Sequence, residues 1–352
     1  MNRISRIIRL SQRSTKYHEG NKSKPLFPLI FDLIHWVILN RGHIIYFFLL
    51  GLYIKNRKVS DYLNFRSFKK SYKDFYPPGY LCLLEDKLIF EKFINNFPEY
   101  APKNIGFVTK KHFYLLDGSP KPIEAILNYP MKCIVKNTWG FGGKDIFMLT
   151  IASDEIFING IKSTVKDLSD KINERSLLQE LVVQHDVLKK LHPASLNTSR
   201  IVTVNTGSDV HVISSLLRVG VDGNFVDNVA KGNLLVPIDI KTGKLAKRAY
   251  SDKDSLFYLS HPQTKTNFEG IDIPYYDEAL KVCKKLHFQL PYFFVLGWDV
   301  AFTPTGPVVI ESNNLHMVVL EQLWVGGLKN RFDGYIKEFM ENKRTERRLN
   351  YA

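Results

Sequence analysis

Three side chains near the carboxyl end of the chain have the types and spacing of a metal site: Asp299, Glu311 and Asn313. Residues 297–314 read GWDVAFTPTGPVVIESNN, two apolar runs that flank a turn signal. Glu311 and Asn313 are two residues apart, so in a strand they share one face. Because hard oxygen donors suit magnesium, the pattern predicts a strand end that carries a Mg²⁺ site.

A β-hairpin would bring the first carboxylate to the same face. A loop of Pro304, Thr305 and Gly306 puts proline and glycine where a three-residue turn favours them, and it pairs Asp299 with Glu311. Carboxylates directly opposite each other repel, so a positive group should lie between them. That group is either a metal ion or a bridging lysine or arginine. A four-residue loop would instead put the two carboxylates on opposite faces.

A second candidate site begins where the apolar run 131–136 ends at Lys136. The following residues read NTWGFGGKDI, with glycines at 140, 142 and 143 that permit close approach of backbone amides to phosphate. The loop lacks the Ser or Thr that follows GK in a P-loop and the third glycine of a dinucleotide fingerprint. It is therefore a phosphate loop of another kind or a flexible hairpin loop.

Two arginines stand among alternating apolar residues in β-rich segments. Arg200 belongs to SLNTSRIVTVNTG and Arg218 to DVHVISSLLRVGVDGNFVDN. A half-buried guanidinium requires an anionic partner, and its fork geometry suits carboxylate or phosphate. Each arginine is therefore either a ligand-binding residue or half of a structural ion pair.

Composition bounds the fold class. With 352 residues, of which 45% are hydrophobic and 24% charged, the chain is globular and long enough for two or three domains. Its three cysteines, Cys82, Cys133 and Cys283, lie far apart and in an odd number. This spacing argues against a disulfide framework or a structural zinc site and favours a reducing compartment.

Net charge is concentrated at the amino terminus. Residues 1–75 hold 15 Lys and Arg against 4 acids, a net +11, whereas the other 277 residues hold 34 against 31, a net +3. The same segment contains the apolar runs 26–39 and 44–54, each shorter than the roughly 20 residues that span a bilayer. We expect two amphipathic or buried helices that hold the protein at an anionic membrane surface. The alternatives are that the runs pack onto the rest of the protein, or that the opening Arg- and Ser-rich residues are a transit peptide.

The order of these features resembles the ATP-grasp superfamily over roughly residues 80–340. The features are Asp86–Lys87 at a helix start, Lys136 before the glycine loop, QELVV at 179–183, and Asp299 followed by Glu311 and Asn313. The segments SLNTSRIVT, VDNVAKGNLLVPIDIKTG, HPQTK and GWDVAFTPTGPVVIESNN resemble, more narrowly, the sugar-transfer-associated ATP-grasp family. GLYIKNRKVSDYLNFRSFKKSY extends the narrower resemblance upstream.

The resemblance implies a fold and roles for individual residues. Two α+β subdomains would clamp ATP, with magnesium bridging its phosphates. Lys87 and Lys136 would hold the α- and β-phosphates, and the loop with Lys144 would cover the γ-phosphate. The nucleotide-binding set would be Lys87, Lys136, Gly140, Gly142, Gly143, Gln179, the adenine hinge Glu180, Leu181, Val182 and Val183, His185 (or Asp186) at the ribose, and Asn228. Asp299, Glu311 and Asn313 would bind Mg²⁺, and Lys144, Arg200 and Arg218 would be catalytic.

The sequence departs from the superfamily pattern at three places. GGKD lacks a further glycine that is common after the lysine, and AKGN replaces a glycine pair after Asn228. Gly297 stands where related ligases often have an arginine. Arg200 or Arg218 must then neutralise the acylphosphate, and the acceptor site is poorly defined.

We predict an α+β chain with an ATP-grasp domain over residues 79–345. Within it, a lid subdomain covers about 105–180 and a metal-binding subdomain about 190–340. A basic, mostly helical module over 1–78 precedes this domain, and a tail over 346–352 follows it.

The predicted activity is that of an ATP- and magnesium-dependent carboxylate–amine ligase that works through an acylphosphate. Its partners would be a sugar or carboxylate substrate, small or lipid-linked, from a cell-surface polysaccharide precursor, and an amine. Two alternatives are a phosphotransferase that acts on a hydroxyl and a non-catalytic ATP-binding adaptor at the membrane. The basic segment has no nucleic-acid recognition motif, so no nucleic acid is expected. The expected location is cytoplasmic, with peripheral contact to the inner face of the membrane.

Overall fold

Two antiparallel sheets organise the chain, and a computed structural model describes residues 18, 21–39, 41–64, 75–76, 78–139, 146–221, 233–251, 253–254, 256–314 and 320–350. The first sheet has the strand order β3-β2-β1-β8-β4-β5-β6-β7. Its strands are β1 (Asn104–Val108), β2 (His112–Leu115), β3 (Pro120–Pro122), β4 (Met131–Asn137), β5 (Ile146–Ala152), β6 (Glu155–Ile158), β7 (Ile161–Ser163) and β8 (Ser176–Glu180).

The second sheet has the order β13-β12-β11-β10-β9-β14-β15. Its strands are β9 (Thr198–Asn205), β10 (Val210–Val219), β11 (Leu234–Pro237), β12 (Ala249–Ser251), β13 (Leu256–Tyr258), β14 (Val295–Thr303) and β15 (Gly306–Asn313). Every residue of β14 is buried, because β9 and β15 flank this strand and helices cover the sheet. The mixture of helices and antiparallel sheets agrees with the predicted α+β class.

The helices pack around these sheets. They are α1 (Leu26–Ile34), which continues into a π-helical turn (His35–Leu39), α2 (Ile44–Leu49), α3 (Cys82–Glu85), α4 (Lys87–Ile94), α5 (Val165–Lys171), α6 (Asp186–Leu191), α7 (Tyr276–Phe288), α8 (Gln322–Val325) and α9 (Lys329–Asn350). Short 3-10 turns are at Val59–Asp61, Pro78–Tyr80, Pro98–Tyr100 and Ile123–Asn128. The apolar side of α7 packs against the second sheet in the largest core cluster. Among the described residues, no helix is long and apolar enough to cross a bilayer.

The β14–β15 hairpin closes through a turn that differs from the predicted one. Thr303 pairs with Gly306, so the loop has two residues, Pro304 and Thr305, and the predicted three-residue loop is wrong. The Thr303 hydroxyl donates to the Gly306 carbonyl at 2.8 Å and accepts from the Thr305 amide at 3.2 Å. These local bonds favour the tighter turn.

A β-bulge restores the predicted pairing of the two carboxylates. Between the turn and the Val300–Val309 pair, the strands pair in the register that a two-residue loop sets. Ile310 is then the extra residue, and Asp299 pairs with Glu311. The predicted pair therefore exists, although a tighter turn and a bulge replace the predicted loop.

The second apolar run of the N-terminal segment packs onto the body of the protein. Phe47, Leu50 and Leu52 are fully buried and share a core cluster with Leu235 and Tyr250 of the second sheet. For residues 44–54, the alternative that the apolar run packs onto the rest of the protein is therefore confirmed. The domain boundaries predicted from the sequence stay a prediction.

Candidate active site

A cavity of about 900 Å³ lies between the two sheets. One wall is the face of the first sheet formed by Lys132, Ile134, Lys136, Ile146 and Met148. The opposite wall belongs to the second sheet and is formed by Arg200, Arg218, Asp299, Glu311 and Asn313. Residues from α3, α4, the end of β8 and the loop before β9 line the sides, among them Glu85, Lys87, residues 179–184 and residues 193–196.

The second-sheet wall is a row of charges across neighbouring strands. Arg200 on β9 pairs with Asp299 on β14, and Asp299 pairs with Glu311 on β15. Asn313 follows Glu311 by one strand period, and Arg218 lies on the same face of β10, diagonal to Arg200. Four strands, from two regions of the chain that are distant in sequence, thus deliver side chains to one place.

Asp299 forms ion pairs with both arginines. Arg200 is bidentate, through Nε to Oδ1 and through Nη2 to Oδ2 at 2.8 Å. Arg218 approaches Oδ2 with Nη2 at 2.7 Å and also donates to Thr198 Oγ1 at 2.9 Å. The Asp299 side chain is only 1% exposed. Two guanidiniums therefore supply positive charge beside Asp299, while the assignment of Asp299, Glu311 and Asn313 to a metal ion stays a prediction.

The two carboxyl groups differ in their tendency to ionise. Burial opposes ionisation of Asp299, but the charges of Arg200 and Arg218 outweigh it and hold the pKa of Asp299 well below its usual range. Burial and then the negative charge of Asp299 raise the pKa of Glu311. Asp299 is therefore held ionised by its arginine partners, whereas burial and the charge of Asp299 disfavour ionisation of Glu311.

The donor set around Glu311 fits a hard cation. The Asn313 amide donates to Glu311 Oε1 at 3.2 Å and to Asp299 Oδ2 at 3.4 Å, so the three side chains meet at one point. No group of three His, Cys, Asp or Glu in the described residues could hold a metal ion. With two carboxylates and one amide, a bound Mg²⁺ would take its remaining ligands from water or phosphate.

The lysines predicted for phosphate binding face the cavity. Lys87 is the first residue of α4, which Asp86 caps by accepting from the amides of Leu88 at 2.8 Å and Ile89 at 3.2 Å. The Lys87 amide donates to the Thr138 carbonyl at 3.0 Å, which ties this helix start to the end of β4. The predicted helix start is therefore present, and it adds a positive helix end to the cavity.

The predicted adenine hinge also lines the cavity. Gln179, Glu180, Leu181, Val182 and Val183 are all among its lining residues. The buried Gln179 amide donates to Asn104 Oδ1 at 2.8 Å, which fixes the end of β8. Apolar side chains at the end of a strand suit a flat heterocycle.

The ribose assignment has no comparable support. His185 is not among the lining residues, and its Nδ1 accepts from the Val187 amide at 3.2 Å, which caps α6. Lys189 of the same helix does reach the cavity. Gly140, Gly142, Gly143, Lys144 and Asn228 lie outside the described residues. The roles of His185 and of these five residues stay predictions.

Sequence reasoning missed several cavity residues. Lys132 was overlooked although it precedes Lys136 by four residues on β4, and the two-residue strand period would have placed it on the same face. Glu85 accepts from the Asn314 amide at 3.1 Å and joins α3 to the end of β15. No sequence signal pointed to that contact, because 229 residues separate the partners.

The segment SLNTSRIVT has a clear local role. Asn197 is fully buried, and its amide donates to the carbonyls of Leu188 at 3.1 Å and His192 at 3.0 Å. Its Oδ1 accepts from the Gly220 amide at 3.0 Å and from the Ser195 hydroxyl at 3.0 Å. Asn197 thus fixes the loop that lines one side of the cavity and leads into Arg200.

Comparison with known proteins gives one family. The family model described as sugar-transfer associated ATP-grasp matches residues 67–334. No curated protein matches the chain.

Among solved structures, D-alanine–D-alanine ligase from Bacillus anthracis is 10% identical, with 76% of this chain and 69% of that chain covered and a TM-score of 0.36. For PurK, N5-carboxyaminoimidazole ribonucleotide synthetase, the identity is 13%, the coverage 72% and 51%, and the TM-score 0.39. The L-amino acid ligase from Bacillus licheniformis is 12% identical, with 66% of this chain and 40% of that chain covered and a TM-score of 0.35. This chain thus spans 40% of the length of the last protein.

Proposed function

The chain belongs to the sugar-transfer associated ATP-grasp family, and from this premise we propose that it is a magnesium-dependent carboxylate–amine ligase that acts on a cell-surface polysaccharide precursor. The family match confirms the predicted family and the ATP-grasp fold, and it supports an ATP-dependent enzyme of this type. The observation that carries the proposal is the cavity, which sets two arginines and two carboxylates opposite lysines. Such an arrangement suits a reaction in which negative charge accumulates on phosphate.

Each wall has a separate task in the proposed reaction. Lys87, Lys132 and Lys136 provide positive charge for the polyphosphate, and the end of β8 receives the base. Asp299, Glu311 and Asn313 would hold Mg²⁺, which when bound neutralises phosphate charge. When Glu311 is ionised, the two positive charges of the guanidiniums equal the two negative charges of the carboxylates. A bound Mg²⁺ would then add net positive charge, which the negative charge of the polyphosphate would neutralise. We therefore propose that the metal enters together with the nucleotide.

The two arginines also suit the second half of the reaction. A substrate carboxylate oxygen would attack the γ-phosphorus, forming a new P–O bond as the bond to ADP breaks. The amine would then attack the acyl carbon and lose a proton, and inorganic phosphate would leave with the carboxylate oxygen. Arg200 and Arg218, fixed by Asp299, provide preorganised donors for an acylphosphate without reorganisation.

Oxygen transfer tests the acylphosphate step directly. The protein would be incubated with ATP, magnesium, an amine and an ¹⁸O-carboxylate, taken from a panel of uronic acids and amino acids. We expect ADP and inorganic phosphate that carries ¹⁸O, because the carboxylate oxygen bonded to phosphorus leaves with phosphate. ADP with a phosphorylated hydroxyl and no free phosphate would reject the ligase and indicate a phosphotransferase.

A further inference from the structure

Helix α1 has two apolar faces, and within the part of the chain that the structure describes only one of them is covered. Leu29, Leu33 and Val37 are partly buried and pack with fully buried Trp36 against the core cluster that α2 shares with the second sheet. The other side of α1 and its π-helical turn exposes large apolar side chains. This outer face consists of Leu26, Phe27, Ile30, Phe31, Ile34 and Ile38.

Internal bonds hold this helix firmly with the outer face outward. Lys24 Nζ donates to Asp32 Oδ2 and, at 2.7 Å, to the Leu52 carbonyl. Trp36 Nε1 donates to the His43 carbonyl at 3.0 Å, and a Cβ on Gly42 would lie 2.5 Å from the Trp36 ring. The helix therefore cannot roll to bury Phe27, which is 87% exposed, or Phe31, which is 66% exposed, without breaking its inner contacts.

The charge around the outer face is positive. The Lys55 amide donates a hydrogen bond to the Lys22 carbonyl at 2.9 Å. Two exposed lysines therefore lie side by side near the start of α1. Arg41 is exposed at the other end of the helical run. Asp32, the single acid in residues 21–39, is neutralised by Lys24. An apolar stripe between basic ends, in a segment of net charge +11, matches an anionic lipid surface.

The same charge disfavours a second copy of the chain as the occupant. In a two-fold dimer the two outer faces would meet, and the basic side chains at their ends would approach one another. An anionic membrane attracts those side chains while it accepts the apolar stripe. The run Leu26–Leu39 is also too short to cross a bilayer, so it would lie in the plane of the interface.

We propose that the outer face of α1 inserts into the interface of an anionic membrane and holds the enzyme there peripherally. This proposal is independent of the ligase proposal, because lipid binding is measured without ATP or substrate. The aromatic and aliphatic side chains bury apolar surface among the lipids, and Lys22, Lys55 and Arg41 interact with the anionic headgroups.

Flotation of the full chain with lipid vesicles tests the proposal. We expect co-flotation with phosphatidylcholine vesicles that contain phosphatidylglycerol and much less with phosphatidylcholine alone. The double variant Phe27→Ser/Phe31→Ser should reduce partitioning by about tenfold or more. Lys22→Glu/Lys55→Glu should reduce it by at least about fivefold per residue. Both pairs are exposed, so folding should be unaffected.

Matched controls are available on the first sheet. Leu116→Ser removes an apolar side chain that is 69% exposed, and Lys110→Glu/Lys111→Glu reverses two exposed lysines. Both controls should float like the intact chain. Absence of flotation with anionic vesicles, or flotation that Phe27→Ser/Phe31→Ser leaves unchanged, would overturn the proposal. A concentration-dependent dimer that this variant abolishes, with no vesicle binding, would assign the face to a second copy instead.

Discussion

The two walls of the active-site cavity carry charge in different ways. On the second sheet, Arg200 and Arg218 bind Asp299, so this wall is assembled and largely neutralised by folding itself. On the first sheet, Lys132 and Lys136 project from one face of β4 with charges of the same sign. The ion-paired group on the second sheet is preorganised before ligand arrives, whereas the two lysines add positive charge that an anionic ligand would stabilise.

The largest effect is expected from breaking the paired wall at Asp299. Asp299→Asn keeps the shape but removes the carboxylate that pairs with two half-buried guanidiniums, so we expect a loss of about 3–5 kcal/mol in the free energy of unfolding. Urea unfolding without nucleotide measures this loss. Turnover should also fall by about 100-fold or more.

The control for this variant is Asp333→Asn, which removes an exposed ion pair with Lys329 on α9. Exposed pairs contribute about 0–1 kcal/mol, so its unfolding curve should change little. Equal stability of Asp299→Asn and the wild type would show that the paired wall is not held together as described.

The next effect concerns the lysine wall. Lys136→Met removes a positive charge but keeps an apolar stem, so we expect nucleotide affinity to fall by roughly 10–100-fold. The free energy of unfolding without ligand should change less than it does in Asp299→Asn. Titration calorimetry with ATP and magnesium measures the affinity. Lys110→Met, at an exposed position, is the control, and an unchanged affinity of Lys136→Met would remove this lysine from the phosphate site.

Magnesium should stabilise the protein mainly when nucleotide is present. Because the arginine–carboxylate wall is close to neutral, Mg²⁺ alone is expected to raise the melting temperature little. ATP with Mg²⁺ at about 100 times the dissociation constant should stabilise the fold by about 2.7 kcal/mol. Thermal unfolding with metal, nucleotide or both checks this order. A large shift with metal alone would indicate a closed metal site.

The smallest change in stability is expected at Glu311. Its pKa is raised in the folded protein by burial and by Asp299, so deprotonation as the pH rises disfavours the folded state. Glu311→Gln should therefore hold or raise stability at neutral pH, and its difference from the wild type should shrink in acid as Glu311 protonates. Urea unfolding across a pH series measures this. A variant less stable than the wild type at neutral pH would contradict the raised pKa of Glu311 in the folded protein.

Asp299 should show the opposite dependence on pH. Its pKa is held far below the value of about 3.9 that an unfolded Asp has, so the stability it contributes is present above that pH and is lost only in strong acid. The two neighbouring carboxyl groups thus respond in opposite directions, and this difference arises from the arginines beside one of them.

Local periodicity carried much of the site prediction. The two-residue strand period placed Glu311 and Asn313 on one face, and Asp86 marked the start of α4 at Lys87. The turn residues predicted the loop length less well. Thr303 closes a two-residue loop instead of a three-residue loop, and a bulge then restores the pairing of Asp299 with Glu311. A strand pattern specifies faces more firmly than it specifies the residue count of a turn.

The sequence by itself determined which residues carry charge, which strands alternate, and that two apolar runs precede the ATP-grasp region. Only the tertiary structure decided that Arg200, 99 residues before Asp299, would be its bidentate partner. Likewise, both apolar runs look alike in sequence, yet the core covers residues 44–54 while α1 keeps one apolar face exposed. The physical reason is the same in both cases: pairing and burial depend on which distant surfaces meet, and local composition and period do not contain that information.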